Sequence, residues 1–385
     1  MSIGIIGLND KGLGFALLCE KNGYNVVISG NEDQVFNLNQ KIHLTTEPLL
    51  QSLLLDSNNL SATTNNHQLI EQSNIIFCFL ESPLHIEGYY NTKEIFELVN
   101  NFYSLSSLNV DLYNKKLVIC SPMNPGETEQ IQQRLNMFNV QVAYNPEFCM
   151  EGEIIKNFEE SSVTIIGTEF TDLSNEIIQI YGKIQKVNVN AVVMTPKSAE
   201  ISKLGIITFL TSNKILSNLI GEFMTNSGID DEIPLVLKSI QYGSKIEKNN
   251  LSYGFGIGGS LIPKGNRVLG YYFDKFGLET SNLPNTLNDL NSQHSSFLKK
   301  HYMSKNPDKS VPFVMNYLGY KLNSNSLDES QPYRLCIDLL DEGYTLHVIE
   351  DNEVIKTLSK ISEEYDGRLK FFKKGTNPEG YKINL

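Results

Sequence analysis

Two features of the 385-residue chain could do chemistry. The first is the turn Gly7-Leu8-Asn9-Asp10-Lys11-Gly12, which follows the apolar run Ile3, Ile5, Ile6. Gly7 and Gly12 stand at the first and third glycine positions of a G-x-G-x-x-G spacing, with Gly14 just beyond. That spacing lets a pyrophosphate approach the backbone and rest on the N-terminus of the next helix. The middle position is Asn9, whose side chain stands where backbone and phosphate should meet. The acidic residue that grips a ribose at the end of the second strand is replaced by Gly30. The turn therefore admits two readings: a dinucleotide (NAD) cleft, or a doubly wound domain with a damaged or empty one. The second feature is Lys203, a cation set among Leu204, Ile206 and Ile207. It either snorkels to water along its own stem or faces an anionic site.

The elements that must position these residues follow from pattern. Residues 196–228 read as one long helix: Thr195 can cap it, Pro196 suits its first position and Gly228 stops it. Ile201, Leu204, Ile206, Ile207, Phe209, Leu210, Ile215, Leu216, Leu219, Ile220 and Phe223 cover more than half its circumference. Such a helix should be buried on most sides, between domains or between subunits. Residues 73–80, 115–120 and 140–148 read as strands, with a helix near 92–102. Alternation of this kind makes a mostly parallel sheet with helices on both faces. Ligands then lie at the strands' carboxyl ends, here Gly7, Leu80, Cys120 and Asn145. Residues 163–167 and 192–194 add two strands, 266–276 and 285–301 two helices, and a shorter βαβ-type unit starts near 309.

Composition narrows the function. The length suits two or three domains. A net charge of −12 argues against a nucleic-acid surface. No stretch approaches the ~20 apolar residues that span a bilayer, and the N-terminus lacks the basic region of a signal peptide. The five cysteines, Cys19, Cys78, Cys120, Cys149 and Cys336, form neither a metal pattern nor a disulfide framework. A reducing, cytoplasmic location follows as an expectation.

Several longer stretches carry a resemblance. The run YNPEFCMEGEIIKNF (144–158) resembles the NPEFxxEG signature of the UDP-glucose/GDP-mannose dehydrogenases, the nucleotide-sugar 6-dehydrogenase family. LESPL (80–84) resembles that family's VPTPL turn, and CSPMNPGETE (120–129) its ESTVPPGTTE. GFGIGGSLIPKG (254–265) resembles GFGGSCFPKD, and YLGYKLNSNSLDESQP (317–332) resembles GLAFKPNTDDxRESP. The long helix matches the family's central dimer helix, and the six stretches keep the family's order.

The resemblance implies an α/β chain of two Rossmann-like doubly wound domains joined by a long central helix, the second one truncated. It divides the chain into a dinucleotide-binding domain at 1–190, a central helical and dimerisation domain at 191–305, and a shortened nucleotide-sugar-binding domain at 306–385. It implies a homodimer through the 196–228 helix and a nucleotide-sugar partner, with no nucleic acid, membrane or metal. The family's reaction is a two-step NAD-dependent oxidation of a sugar C6 alcohol to the acid, through a Cys-bound thiohemiacetal and thioester. Glu147, Lys203 and Lys264 occupy its catalytic positions. Gly7, Asn9, Gly12 and Ser82 fall at cofactor positions, and Glu151, Lys245, Gly258, Gly259 and Lys321 at substrate positions.

Other positions depart from the family. The nucleophilic Cys is Leu261, and a hydrocarbon cannot attack a carbonyl. The Asp after the motif lysine is Gly265, the Asn one turn beyond the helix lysine is Ile207, and the Thr of STVP is Pro122. The Arg of RESP is Asp328, so an anion-binding position has become anionic. Cys149 could act as a relocated thiol or as a small buried hydrophobe. His294 reads as structural, with no second ligand at i+3 or i+4. Three expectations follow: a degenerate dehydrogenase that cannot complete the oxidation, an enzyme limited to hydride transfer, or a non-catalytic dimer.

Overall fold

The computed structural model describes residues 1–385 apart from 46, 245–250, 279–281, 323, 351–357, 359–360 and 384. The chain divides into two compact units, Met1–Lys203 and Leu204–Leu385. In the first, strands β1 (Ser2–Ile6), β2 (Asn25–Ser29), β3 (Ser61–Thr63), β4 (Ile75–Cys78), β5 (Lys116–Ile119), β6 (Gln141–Tyr144), β7 (Thr164–Gly167) and β8 (Ala191–Met194) form one sheet. Helices α1 (Asp10–Lys21), α2 (Glu32–Asn39), α3 (Leu50–Asp56), α4 (Asn66–Gln72), α5 (Lys93–Ser107), α6 (Glu127–Leu135), α7 (Ile154–Glu159) and α8 (Thr171–Ile184) connect them. The spatial order is β3-β2-β1-β4-β5-β6-β7-β8, parallel throughout except between β6 and β7.

The strand order reverses at β1, where β2 leaves to one side and β4 lies on the other. That is the switch point at which such sheets open a crevice. β1 and β4 are apolar on both faces because helices cover both. Phe15 of α1 seals this packing, with ring centroids 4.8 Å from Phe77 and 5.3 Å from Phe158.

The strand expected to run to 148 stops at Tyr144. Asn145 turns its amide nitrogen onto the Ile165 carbonyl at 2.8 Å, and Pro146 has no N–H to continue a ladder. Glu147 therefore sits in a loop, not at the helix start that a simple reading of its carboxylate suggests. Between residues 31 and 72 lie three helices and β3 that pattern reading passed over.

Helix α9 (Pro196–Asn226) matches its expected span, with Gly228 at φ +72° behind it. Within the single chain its burial is partial. Leu204, Ile207 and Ile215 are buried, but Ile201, Phe209, Leu210, Leu216, Leu219 and Phe223 are exposed in the single chain. The second unit continues with α10 (Ile233–Ser244), α11 (Ile262–Lys275), α12 (Leu283–Lys305), β9 (Phe313–Met315), α13 (Gln331–Asp341), β10 (Leu346–Glu350), β11 (Leu369–Lys373) and β12 (Tyr381–Lys382). Its parallel sheet runs β11-β10-β9-β12, so the tail returns as β12 to cover the β9 edge. Phe313, Tyr344, Leu335 and Leu339 fill its core.

Candidate functional site

The crevice at the switch point is a cavity of ≈ 400 Å³ lined by Gly7, Asn9, Gly30, Asn31, Thr64 and Asn66 among others. Gly7 is at φ +111°, and a Cβ there would lie 2.7 Å from the Phe79 carbonyl carbon. A Cβ on Gly12 would lie 2.0 Å from the Gly7 carbonyl oxygen. Both glycines are thus required by the turn itself. Asn9 caps α1: its Oδ1 accepts from the Gly12 N–H at 3.0 Å, and its Nδ2 donates to the Phe79 carbonyl at 2.7 Å. The side chain therefore uses one N–H that a phosphate would otherwise meet. Gly30 is hemmed in as well, since a Cβ there would lie 2.7 Å from Leu8 Cβ and 2.8 Å from Gln34 Oε1. Gln34 Nε2 in turn donates to the Leu8 carbonyl at 2.9 Å. An acid at position 30 has no room, and neutral amides line this end of the cavity. The close-packed glycine cradle fits a dinucleotide; the amides at Asn9, Asn31 and Gln34 replace its usual acidic grip. Ser82, in the turn beyond β4, is buried with no hydrogen-bond partner for its Oγ.

Across the carboxyl ends of the strands lies a charged cluster. Glu147 is 5% exposed and accepts from Lys11 Nζ at 2.7 Å and from the Cys149 N–H at 2.7 Å. Lys203 Nζ stands 3.9 Å from the same Oε1. Burial alone would raise the Glu147 carboxyl, but the charges of Lys11 and Lys203 and these hydrogen bonds hold it below its usual range. Lys203 is 1% exposed and its Nζ has no hydrogen-bond partner. Burial pulls its pKa below the ordinary lysine range; Glu147 opposes this, and Lys11 adds to it. Lys203 therefore does not snorkel; it faces an acid. Lys11 had no role in the sequence reading beyond standing in the turn, and its reach to Glu147 crosses 136 positions of sequence.

Two buried acids hold the surrounding loops, and both were missed. Glu47 accepts from the N–H groups of Gly152 and Ile154, which fixes the loop carrying Glu147 and Cys149. Glu200 accepts from the Gly126 N–H, from Thr128 N–H at 2.9 Å and from Thr128 Oγ1 at 2.6 Å. It thereby ties the start of α6 to the α9 turn that carries Lys203. Burial pushes the Glu200 carboxyl up to about 7, against the pull of these donors. The signal for Glu200 was its i,i+3 spacing to Lys203 on one helix; Glu47 had no local signal. Glu151 lies in the same loop, and its charge helps to raise the Lys11 pKa. Cys149 is buried, its thiol pushed up by burial and by Glu147, which opposes a thiolate there. Pro122, in the turn after β5, has neither hydroxyl nor N–H.

In the second unit the glycine loop is shaped by close packing. A Cβ on Gly258 would lie 2.6 Å from the Glu329 carbonyl, and one on Gly259 (φ +84°) 2.9 Å from the Tyr320 ring. The Gly259 N–H donates to the Asp328 carbonyl at 2.7 Å. Asn291 clamps Ile257 through both backbone groups, at 2.8 and 2.9 Å. His294 bridges Glu222 at 2.5 Å and the Gly254 carbonyl at 2.8 Å, a structural tie. Leu261 caps α11, Lys264 and Gly265 stand in that helix's first turns, and Ile207 is buried in α9. Lys321 lies beyond β9. Lys245 lies outside the described residues.

A doubly wound unit with a glycine cradle at its switch point, followed by a long helix and a second parallel sheet, defines a dehydrogenase-type architecture. Residues 1–185 match the NAD binding domain of the UDP-glucose/GDP-mannose dehydrogenase family, and residues 197–293 match its central domain. The chain belongs to that family. The Bacillus subtilis protein YtcA is 22% identical over 364 residues, covering 92% of this chain and 82% of that one. The UDP-glucose 6-dehydrogenase of Rickettsia conorii is 26% identical over 270 residues, covering 69% of this chain and 60% of its own length. A UDP-glucose dehydrogenase structure from Pyrobaculum islandicum superposes with a TM-score of 0.83 at 20% identity, covering 96% of this chain and 85% of that one.

Proposed function

We propose that the chain transfers a single hydride between a nicotinamide dinucleotide and a nucleotide sugar and cannot complete the two-step oxidation to a uronic acid. The observation that carries this is a contrast. Lys203 and Glu147 are kept and buried together 3.9 Å apart, while the nucleophile position is Leu261. NAD, when bound, supplies the acceptor for hydride. Gly7 and Gly12 shape its phosphate turn, Asn9 and Ser82 flank it, and the amides of the 400 Å³ cavity take its ribose end. The Lys203 amine takes the proton of the reacting sugar hydroxyl, and Glu147 balances the ammonium so formed. On the resemblance, Lys264 is a further catalytic position, and Glu151 of the first unit and Gly258, Gly259 and Lys321 of the second are substrate positions, as is Lys245, which lies outside the described residues. With a hydrocarbon at 261, no covalent adduct follows, and the product leaves at the carbonyl level. The division 1–190, 191–305, 306–385 is part of this reading, and the family matches at 1–185 and 197–293 support its first two parts. Among the described residues no helix is long and apolar enough to cross a membrane; a cytoplasmic role in polysaccharide synthesis is part of the same reading. The test supplies the purified protein with NAD and UDP-glucose, UDP-N-acetylmannosamine or GDP-mannose. One reduced cofactor per sugar is expected; none, or steady release of two, overturns the proposal.

A second reading, a dimer scaffold built on α9, is favoured by its exposed Phe209, Leu216, Leu219 and Phe223. Light scattering should give a dimer that Leu219→Asp and Phe223→Asp dissociate. A wild-type monomer removes this reading.

A further inference from the structure

We propose that Lys11 is a positioning residue: by holding Glu147 it keeps that carboxylate off Lys203 and leaves the Lys203 amine free for a substrate oxygen. Both lysines address the same carboxylate oxygen, Lys11 at 2.7 Å with a hydrogen bond and Lys203 at 3.9 Å without one. The second carboxylate oxygen accepts from the Cys149 N–H. Glu147 is thus satisfied from two sides, neither of them Lys203. The groups that face Lys203 give it no alternative partner. Lys11 comes from α1, Cys120 from the end of β5, and Glu147 and Cys149 from the 145–153 loop. The Phe148 ring lies 5.9 Å from Nζ, and Glu200, on the same helix, is engaged by Gly126 and Thr128. A buried amine left without an acceptor invites the oxygen it lacks.

Geometry also explains why Lys11 can win this competition. It stands in the first turn of α1, its side chain is 28% exposed, and although burial opposes its charge, Glu147 and the neighbouring Glu151 outweigh that and raise its pKa. Lys203 is 1% exposed and must meet the full cost of burying a charge. The carboxylate therefore pairs with the lysine that ionises at less cost. Placed on the phosphate turn, Lys11 also links the cofactor cradle to the proton-transfer pair. This role rests on the hydride-transfer reading, but its test does not.

The test follows the Lys203 side-chain nitrogen by NMR in full-length protein carrying labelled lysine, with Lys203→Arg to assign the signal. The wild-type midpoint should lie below the ordinary lysine range. Lys11→Met should let Glu147 turn to Lys203 and raise that midpoint by about one pH unit or more, roughly a tenfold change in proton affinity. Lys11→Arg should restore the wild-type value. Lys11→Gln, which keeps a hydrogen bond to Glu147 without the charge, separates the hold from the charge and should leave the midpoint nearer the wild-type value than Lys11→Met does; should Lys11→Met fail to fold, Lys11→Ala reads the same loss of the hold. An unchanged midpoint in Lys11→Met, a shift in Lys11→Gln as large as in Lys11→Met, or an equal shift in Lys11→Arg overturns the proposal. A shift in a protein that reduces no NAD sinks the hydride-transfer reading and leaves the role of Lys11 standing.

Discussion

The charged cluster of the first unit and the glycine loop of the second are held together in opposite ways. Around Glu147 two lysines, Lys11 and Lys203, meet one buried carboxylate. Between Gly254 and Gly265 the loop is shaped by its backbone, with glycines at 258 and 259 where a Cβ would meet Glu329 and Tyr320, and positions 261 and 265 carry Leu and Gly. The difference has a physical origin. A buried acid with two lysines is mutually dependent, so losing one member strands the others in low dielectric. A half-buried side chain at the cap of α11 has no such dependants, and leucine there costs the fold little.

Four measurements would break or sharpen that contrast. The largest effect is expected from Leu261→Cys with Gly265→Asp. If only side chains were lost from the loop, the second reduced equivalent should speed up by about 10³-fold, read as NADH formed per sugar. No gain would mean that the loop has lost more than its reactive groups. Next, Glu147→Ala should cost about 3–5 kcal/mol of unfolding free energy. Leu261→Ser should cost under about 1 kcal/mol, and urea midpoints compare the two. Equal costs would dissolve the distinction.

Glu200 tests the support beneath the cluster. Burial raises its carboxyl to about 7 in the fold, above the ordinary glutamate value of about 4.5. The native state therefore keeps a proton that the unfolded chain releases. Its contribution is complete below pH ~4.5, declines as pH rises through ~7 and is flat beyond, on the order of 3 kcal/mol in all. Glu200→Gln should remove that decline; urea midpoints at pH 5 and pH 8 that keep the wild-type slope would refute it. The smallest stability effect belongs to Asn9→Gly, a few tenths of a kcal/mol at a helix cap. It frees the Gly12 N–H and should tighten NAD in calorimetry. Weaker binding would mean that Asn9 is a cofactor ligand and not an obstacle.

Much of this was determined by the sequence alone. The apolar runs, the Gly7–Gly12 spacing and the span of α9 follow from local pattern, because strand, turn and helix are decided within a few residues of one another. The NPEF and glycine-loop stretches carried the family in their order along the chain. Tertiary structure alone decided that β6 ends at Tyr144, that half of α9's apolar face stays uncovered in one chain, and that Lys11, Glu47 and Glu200 belong with the site. Each of these depends on partners tens to more than a hundred positions away: Ile165 for Asn145, Glu147 for Lys11, Gly152 for Glu47 and Thr128 for Glu200. Buried charge is governed by which groups the fold brings within a few ångströms, and no local pattern encodes that distance.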